Sequence, residues 1–208
     1  MRTRLHAAVL TLLLASGALG ACRDGTGIDD SPGSIGFDFA GSASGTFAAR
    51  GTAPVVAPGA EYPYVSFTSA VRLGTAGITL NAYQDLGGHR GNRIFIHLRE
   101  PAAGATLNFQ GLYCGDAPGV RCALGRFDRD VDLNHPSFDT PQMTFLSGTV
   151  HVTSVTATRI RGTFSGHAED VLLRLETPDT PPPATADVVH GTFDVPVTDF
   201  APSQLRAP

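Results

Sequence analysis

The sequence predicts an all-β fold, a single antiparallel β-sandwich, with barrel-like closure as the alternative. Apolar residues alternate with polar or small residues in many short segments, and this period of two is typical of strands. Glycine and proline, 24 and 15 of the 208 residues, separate these segments. No amphipathic helical pattern follows the N-terminal leader. Short strands separated by turn formers favour a sandwich or barrel over a helical or mixed fold.

Residues 1–21 are predicted to be a cleaved signal peptide. Arg2 and Arg4 precede an apolar run from Ala7 to Leu14, and small residues follow it. A basic start, a short apolar core and small residues before the cleavage point are typical of secretory signals. The run is shorter than the roughly 20 residues that a membrane-spanning helix needs.

The end of this leader resembles the lipobox of bacterial lipoproteins. Leu19, Gly20 and Ala21 directly precede Cys22. In that family the cysteine is lipidated and becomes the new N-terminus, which implies lipidation of Cys22, a membrane anchor and a cell-envelope location. Arg23 stands where an aspartate favours inner-membrane retention in some bacteria, so the outer membrane is favoured here. An ordinary signal peptide that ends beside a cysteine is the alternative.

The rest of the chain is predicted to be one domain with short polar ends. Residues 22–34 are small and polar, as in a flexible tether; residues 35–200 form the β-sandwich domain and residues 201–208 a tail. Removal of the 21 leader residues from 208 leaves 187, enough for one core. It also removes two arginines and no acids, so the net charge changes from −4 to −6. A mildly acidic chain without a basic cluster argues against nucleic-acid binding.

Seven strands are predicted before residue 134, each from its alternating pattern. Alternation places Ile94 and Leu98 on the inner side of the fifth strand. In the third strand it sets one group of residues on one side, Val65, Phe67, Ser69, Val71 and Leu73. Residues 84–92 are rich in glycine and are expected to form a loop. The seven predicted strands cover residues 35–39, 45–50, 64–73, 78–83, 93–99, 105–110 and 124–133.

Three more strands are predicted in residues 148–197, and the triplet Gly-Thr-Phe occurs in two of them, at 162–164 and 191–193. Alternation turns the glycine and phenylalanine of each copy inward, together with Val189, so that an aromatic ring can lie against the glycine backbone. One apolar and one polar face is the pattern of antiparallel sheets with a solvated side. Recognition of a partner is expected on the polar face or in the loops. The polar face comprises Arg159, Arg161, Thr163, Ser165, His167, His190 and Thr192.

This C-terminal pattern resembles that of a group of uncharacterised bacterial lipoproteins with a single β-sandwich domain. Their signature is G-x-V-x-[IV]-T followed by two strands with G-x-F. The resemblance implies the fold and the lipid anchor, and it brings no activity or catalytic residues. The matching residues are Gly148, Val150, Val152, Thr153, Ile160, Gly162, Phe164, Gly191 and Phe193.

Cys114 and Cys122 are predicted to form a disulfide. They lie eight positions apart across a segment of turn formers, and an exported protein meets an oxidising compartment. Closure of so short a loop stabilises the fold by about 2–3 kcal/mol. A metal site would need two further ligands at matching spacing, and no nearby cysteine or histidine supplies them.

Two groups of side chains are candidate metal ligands, and each also has a simpler interpretation. The histidines fall on the polar faces of consecutive strands, where they either converge on a metal or face solvent. The aspartates alternate as at the start of a calcium loop, but the glycine and distal glutamate of such a loop are missing, and in a strand all three would face solvent. No metal or other cofactor is therefore predicted. The candidates are His151, His167 and His190, and Asp128, Asp130 and Asp132.

No enzymatic activity is predicted. The chain has no G-x-S-x-G or H-E-x-x-H motif, and Ser-x-x-Lys is excluded because the chain has no lysine. A structural or protein-interaction role at the envelope needs no special residues and is the first expectation. A ligand-binding module for a glycan or a divalent metal ion is the alternative, with an envelope protein or glycan as partner. The candidate sugar platform is Tyr62, Tyr64, Tyr83 and Tyr113.

Overall fold

Ten β-strands make up the fold in the described part of the chain. The computed structural model describes residues 31–56, 60–115, 119–135, 140–171 and 183–199. The prediction of an all-β fold is confirmed. The strands are β1 (Gly33–Gly41), β2 (Gly45–Gly51), β3 (Phe67–Arg72), β4 (Ile78–Gly87), β5 (Arg90–Arg99), β6 (Thr106–Asn108), β7 (Cys122–Val131), β8 (Gln142–Val155), β9 (Arg159–Glu169) and β10 (Thr185–Asp199).

Seven of these strands close into a barrel. The ring runs β3, β4, β5, β7, β8, β9 and β10, and β10 then pairs with β3 to complete it. That last pairing is parallel and short, with Ala70–Arg72 beside Val197–Asp199, whereas the other pairings of the ring are antiparallel. The β1–β2 hairpin joins the ring through β10, and β6 joins it through β8. Barrel-like closure is therefore the form that the predicted all-β fold takes, and closure pairs strand edges that open sheets would expose.

Phenylalanine dominates the aromatic packing of the core, since the chain has no tryptophan. The ring of Phe127 in β7 lies 5.2, 5.1 and 6.3 Å from the rings of Phe37, Phe39 and Phe47 in the β1–β2 hairpin. Because β7 is not hydrogen-bonded to β1 or β2, these contacts cross the interior and hold the hairpin against the barrel. Full burial of one such side chain stabilises the fold by about 1.5–3 kcal/mol.

The two C-terminal Gly-Thr-Phe triplets pair with each other. In the antiparallel β9–β10 ladder, Gly191 lies opposite Phe164 and Phe193 lies opposite Gly162. A Cβ atom added at Gly162 would lie 2.4 Å from the Phe193 ring, and one at Gly191 would lie 2.7 Å from the Phe164 ring. Each ring therefore occupies the space that a side chain on the partner glycine would need. This confirms the prediction that the inward glycines make room for aromatic rings.

The glycine-rich loop predicted at 84–92 is instead a tight hairpin. Strand β4 continues to Gly87 and β5 begins at Arg90. Gly88 and His89 form the turn, with φ angles of 62° and 67°. Two consecutive central residues with positive φ are characteristic of type I′ turns, whose twist matches that of the strands they join. Glycine here marks a two-residue turn and not a long loop.

One predicted strand face is wrong, that of β10. In β3, Phe67 is buried together with Thr68 and Ala70, so both sides of that strand carry buried residues. In β10, the register shifts between Val188 and Gly191, which turns Val188 inward and leaves Val189 44% exposed. A bulge inserts an extra residue into one strand, so simple alternation fails on one side of it.

Several predictions concern residues outside the described part of the chain. The leader 1–21, Cys22 and the tail 201–208 all lie there. Strand β1 begins at Gly33, two residues before the predicted start of the domain at Ile35. Within the described residues, no helix has the length and apolar character needed to cross a membrane.

Candidate functional site

A pocket of about 500 Å³ lies on the outer face of β4, β5 and β7. Cross-strand register brings its side chains together, because Asn81 lies opposite Phe95 and Phe95 lies opposite Arg126. The neighbours of Phe95 along the strand, Ile94 and Ile96, are fully buried in the core, so alternation turns Phe95 outward. We call this site the outer pocket. Its side chains include Asn81, Arg93, Phe95, Leu112, Arg126 and Asp128.

A buried carboxylate with two arginine partners forms the charged part of the outer pocket. The Asp128 side chain is only 3% exposed. Arg93 donates to its Oδ2 atom from Nε and Nη2, at 3.0 and 2.6 Å. Arg126 donates from Nε to Oδ1 at 2.5 Å and from Nη2 to Oδ2 at 2.9 Å. These four bonds replace the hydration that the carboxylate loses, without which its burial would be strongly unfavourable.

The segment 111–115 lies along the outer pocket and is attached to the barrel at two points. The predicted disulfide between Cys114 and Cys122 is present, with the two Cα atoms 6.1 Å apart, and it ties the segment to the start of β7. Arg99 of β5 donates from Nη1 to two carbonyl oxygens of the same segment. Leu112, which lines the pocket, lies two residues before Cys114 and so belongs to a segment that a covalent bond and hydrogen bonds tether to the barrel.

Exposed apolar side chains share the outer pocket with the charged cluster. Phe95 is 43% exposed and Leu112 is 65% exposed, and Leu124 also lines the pocket. Large apolar side chains that stay open to solvent beside positioned polar groups are typical of ligand sites, whose volumes are roughly 300–1,000 Å³. The outer pocket falls within this range.

The outer pocket has few polar side chains. Among the described residues that line it, they are Asn81, Arg93, Arg126, Asp128 and Thr144. Asp128 supplies its carboxylate, but both oxygens accept bonds from guanidinium groups. Guanidinium groups stay protonated, so neither arginine can act as a general base.

The three candidate histidines do not all converge on one site: His151 and His190 line one depression on the outer face of β8, β9 and β10, and His167 does not line it. His167 lies opposite Ser147 on β8, four residues from His151, which is about 13 Å along a strand at roughly 3.3 Å per residue. No group of three or more histidine, cysteine, aspartate or glutamate residues that could hold a metal occurs in the part of the chain described. Each histidine instead lies beside a different partner through its Nδ1 atom. The pairs are His151 with Thr106 at 3.2 Å, His167 with Asp187 at 2.7 Å, and His190 with Asp38 at 3.2 Å.

The aspartates of the calcium-like segment also separate. Asp130 pairs with Arg90, with Nε to Oδ1 at 2.8 Å and Nη2 to Oδ2 at 2.5 Å. Asp128 belongs to the outer pocket, and the expectation that it faces solvent is wrong. It does lie on the outer side of the barrel, but the arginines cover it, and the register beside it shifts between Gly91 and Arg93.

Asp132 lies at the end of the barrel where β7 leaves the sheet. Its Oδ1 atom accepts hydrogen bonds from the Tyr64 hydroxyl at 2.8 Å and from the backbone N–H of Asn134 at 2.9 Å. Burial would raise the pKa of Asp132, but the bonds from Tyr64, Asn134 and His135 outweigh it and lower the pKa to about 2. The ionised carboxylate of Asp132 therefore links the loop that contains Tyr64 to the loop that contains Asn134 and His135.

The four tyrosines do not form one sugar platform. Tyr83 is fully buried, and burial is the main cause that raises the pKa of its hydroxyl to about 12. Tyr64 stacks on His89 with ring centroids 4.4 Å apart, and Tyr62 packs against the core residue Phe67. Tyr113 is 60% exposed on the disulfide-linked segment.

The polar face of β8, β9 and β10 carries a smaller depression of about 350 Å³. His151, His190 and Thr163 line it. Arg159, which the sequence places on this face, is only 8% exposed and donates from Nε to Asp194. Arg159 therefore belongs to a structural ion pair and is not exposed for contact with a partner.

Sequence reasoning did not single out the arginines and apolar side chains of the outer pocket. Arg126 and Asp128 stand two residues apart on one strand face, which was a usable signal for an ion pair. Arg93 comes from another strand, and its pairing with Asp128 depends on the β5–β7 register. Leu112 reaches the pocket only because the disulfide-linked segment passes over the outer face.

Comparison with protein-family models, curated proteins and solved structures gives no match for this chain. The resemblance to uncharacterised lipoproteins therefore rests on the lipobox and the C-terminal strand pattern, and it stays a prediction.

Proposed function

We propose that this protein is a lipid-anchored, non-enzymatic binding domain of the cell envelope that takes a small ligand in the outer pocket. Of the two functions expected from the sequence, a structural or interaction role and a ligand-binding module, the outer pocket favours the second. The observation that carries the proposal is a cavity of about 500 Å³ with exposed apolar side chains beside a fixed charged cluster.

The support for binding is that the segment beside the pocket is tethered to the barrel while the apolar groups of the pocket stay uncovered. The disulfide and Arg99 fix the segment that carries Leu112. A side chain held in place loses little conformational entropy when a ligand arrives, so more of the contact energy contributes to affinity.

The binding part of the proposal can be tested with the uncharged fluorescent probe N-phenyl-1-naphthylamine. The protein is the mature chain, residues 22–208, with Cys22→Ser to remove the acyl acceptor. We expect saturable binding at one site, weakened roughly three- to ten-fold by Leu112→Asn, because apolar contact area is lost. The matched control is Val189→Asn, at an exposed apolar residue on β10, which should leave affinity unchanged. No saturable binding, or equal affinities of the two variants, would overturn the proposal.

The anchor and location are tested separately in cells. Wild-type protein should incorporate radiolabelled palmitate and sediment with membranes, with more in the outer than in the inner membrane. Cys22→Ala should abolish the label and release the chain from membranes. Palmitate labelling that persists in this variant would contradict the lipid anchor at Cys22.

A further inference from the structure

We infer that the ligand of the outer pocket is a small organic monoanion, a carboxylate or sulfonate carried on an apolar ring or short chain. This inference rests on the proposed binding function and adds the class of ligand.

The first argument is the charge that the outer pocket presents to solvent. Two guanidinium groups face one carboxylate, so the cluster carries one net positive charge. The exposure of these side chains strengthens the argument, because the side chain of Asp128 is 3% exposed whereas those of Arg93 and Arg126 are 33% and 40% exposed. The negative charge is covered and the positive charges are open. No other acidic side chain is among the described residues lining the pocket.

The second argument is hydrogen-bonding geometry. All four bonds to Asp128 use the Nε and Nη2 atoms of the two arginines, so the Nη1 groups lie outside the ion pair. Guanidinium groups recognise carboxylates and related oxyanions through paired N–H donors. Asp128 holds both arginines in fixed positions, which reduces the entropy lost when they bind an anion. The Asn81 amide lines the same pocket and can add a polar contact.

The third argument concerns the rest of the ligand. Phe95, Leu112 and Leu124 line the pocket beside the arginines, so an ion without an apolar body would leave these side chains in water. A volume of about 500 Å³ also exceeds what a simple inorganic anion fills. One net positive charge favours a single negative charge on the ligand. The chain as a whole is acidic, with a net charge of −4, which disfavours polyanions such as nucleic acids.

The test compares two fluorescent probes of similar shape. 1-Anilinonaphthalene-8-sulfonate carries a sulfonate, whereas N-phenyl-1-naphthylamine carries no charge. Both are titrated into the mature chain with Cys22→Ser and into three further variants of it. Leu112→Asp places a negative charge at the pocket rim, Leu112→Asn is its neutral match, and Val189→Asp carries the same charge on the exposed surface of β10. Because residues 112 and 189 are exposed, these changes should leave folding intact, which a thermal melt checks.

We expect the sulfonate probe to bind the Leu112→Asp variant roughly three- to ten-fold more weakly than the Leu112→Asn variant, owing to repulsion in a partly screened site. The uncharged probe should bind these two variants equally. Val189→Asp should change neither affinity. On the unmodified pocket, the sulfonate probe should bind more tightly than the uncharged one, and 0.5 M KCl should reduce that difference.

The outcomes separate the two levels of the proposal. The anion inference would be overturned if the uncharged probe binds saturably, the sulfonate probe binds no more tightly than the uncharged one, and the sulfonate probe has equal affinity for the Leu112→Asp and Leu112→Asn variants. The proposed binding pocket would still stand after that result. Absence of saturable binding by either probe would overturn the proposed function itself.

Discussion

The pairing of the two Gly-Thr-Phe triplets makes a quantitative prediction for Gly162→Ala. A Cβ atom at this position would lie 2.4 Å from Cζ of Phe193 and 2.3 Å from the carbonyl oxygen of His151. Phe193 is 3% exposed and Gly162 lies within the β8–β9 and β9–β10 ladders, so neither neighbour can move without disturbing packing or pairing. Overpacking of this kind costs about 1–3 kcal/mol. The smaller unfolded-state entropy of alanine offsets about 0.4–1 kcal/mol of that cost.

We therefore expect Gly162→Ala to lower the free energy of unfolding by about 1–2 kcal/mol. The assay is urea denaturation of the mature chain with the disulfide intact. The quantity compared is the denaturation midpoint, and the m value should be the same in both proteins. The matched control is Gly36→Ala in β1, where the nearest atom to an added Cβ is the Phe47 carbonyl oxygen at 3.5 Å, an ordinary contact. That variant should be neutral or slightly more stable than wild type.

A second change identifies the ring as the cause. In the Gly162→Ala background, Phe193→Leu should cost less than it does in wild type, because the smaller side chain relieves the overlap. The coupling in this double-mutant cycle should be about 0.5 kcal/mol or more. Equal midpoints for Gly162→Ala and Gly36→Ala would refute the packing argument, whereas additive effects in the cycle would place the strain on the backbone instead of the ring.

Three further predictions concern bonds described above. Thiol titration of the denatured, unreduced mature chain should find neither Cys114 nor Cys122 reactive, and replacing both with serine should lower the free energy of unfolding by about 2–3 kcal/mol; one reactive thiol per cysteine would contradict the bridge. Asp128→Asn leaves two half-buried guanidinium groups without a carboxylate, so denaturant unfolding should show a loss of about 1–3 kcal/mol; an unchanged midpoint would mean that the ion pair is not stabilising. Asp132 has a pKa lowered from 3.8 to about 2, so its contribution is present above about pH 4 and is lost as the pH falls through 2. Stability measured from pH 7 to pH 2 should therefore fall more steeply in wild type than in Asp132→Asn, and parallel curves would rule out this contribution.

The faces of β5 were predictable because that strand alternates without interruption. Ile94 and Leu98 of β5 are fully buried as predicted, because both edges of that strand are paired and one face covers the core. The same reasoning fails at Val189, where a bulge shifts the register. Alternation is a local property of the chain, but a bulge is specified by the partner strand as much as by its own sequence.

Much less of the candidate site than of the fold could be predicted from the sequence. The carboxylate of Asp128 was visible as one of three alternating aspartates, yet its burial depends on Arg93, which lies 35 positions earlier in the chain. Residues on different strands meet only through register, and a shift of one position would turn Arg93 to the other face. Composition and motifs carry no information about which residues of different strands lie side by side.

The sequence by itself determined the all-β class, the inward glycines and phenylalanines of β9 and β10, and the cysteine pairing across a short loop. Each of these follows from period-two alternation or from spacings of a few residues, which are set by local backbone geometry. Only the tertiary structure decided that the strands close into a barrel and that Arg93, Arg126 and Leu112 surround one pocket. Closure brings Ala70 beside Val197, and such pairing depends on long-range packing that no local pattern encodes.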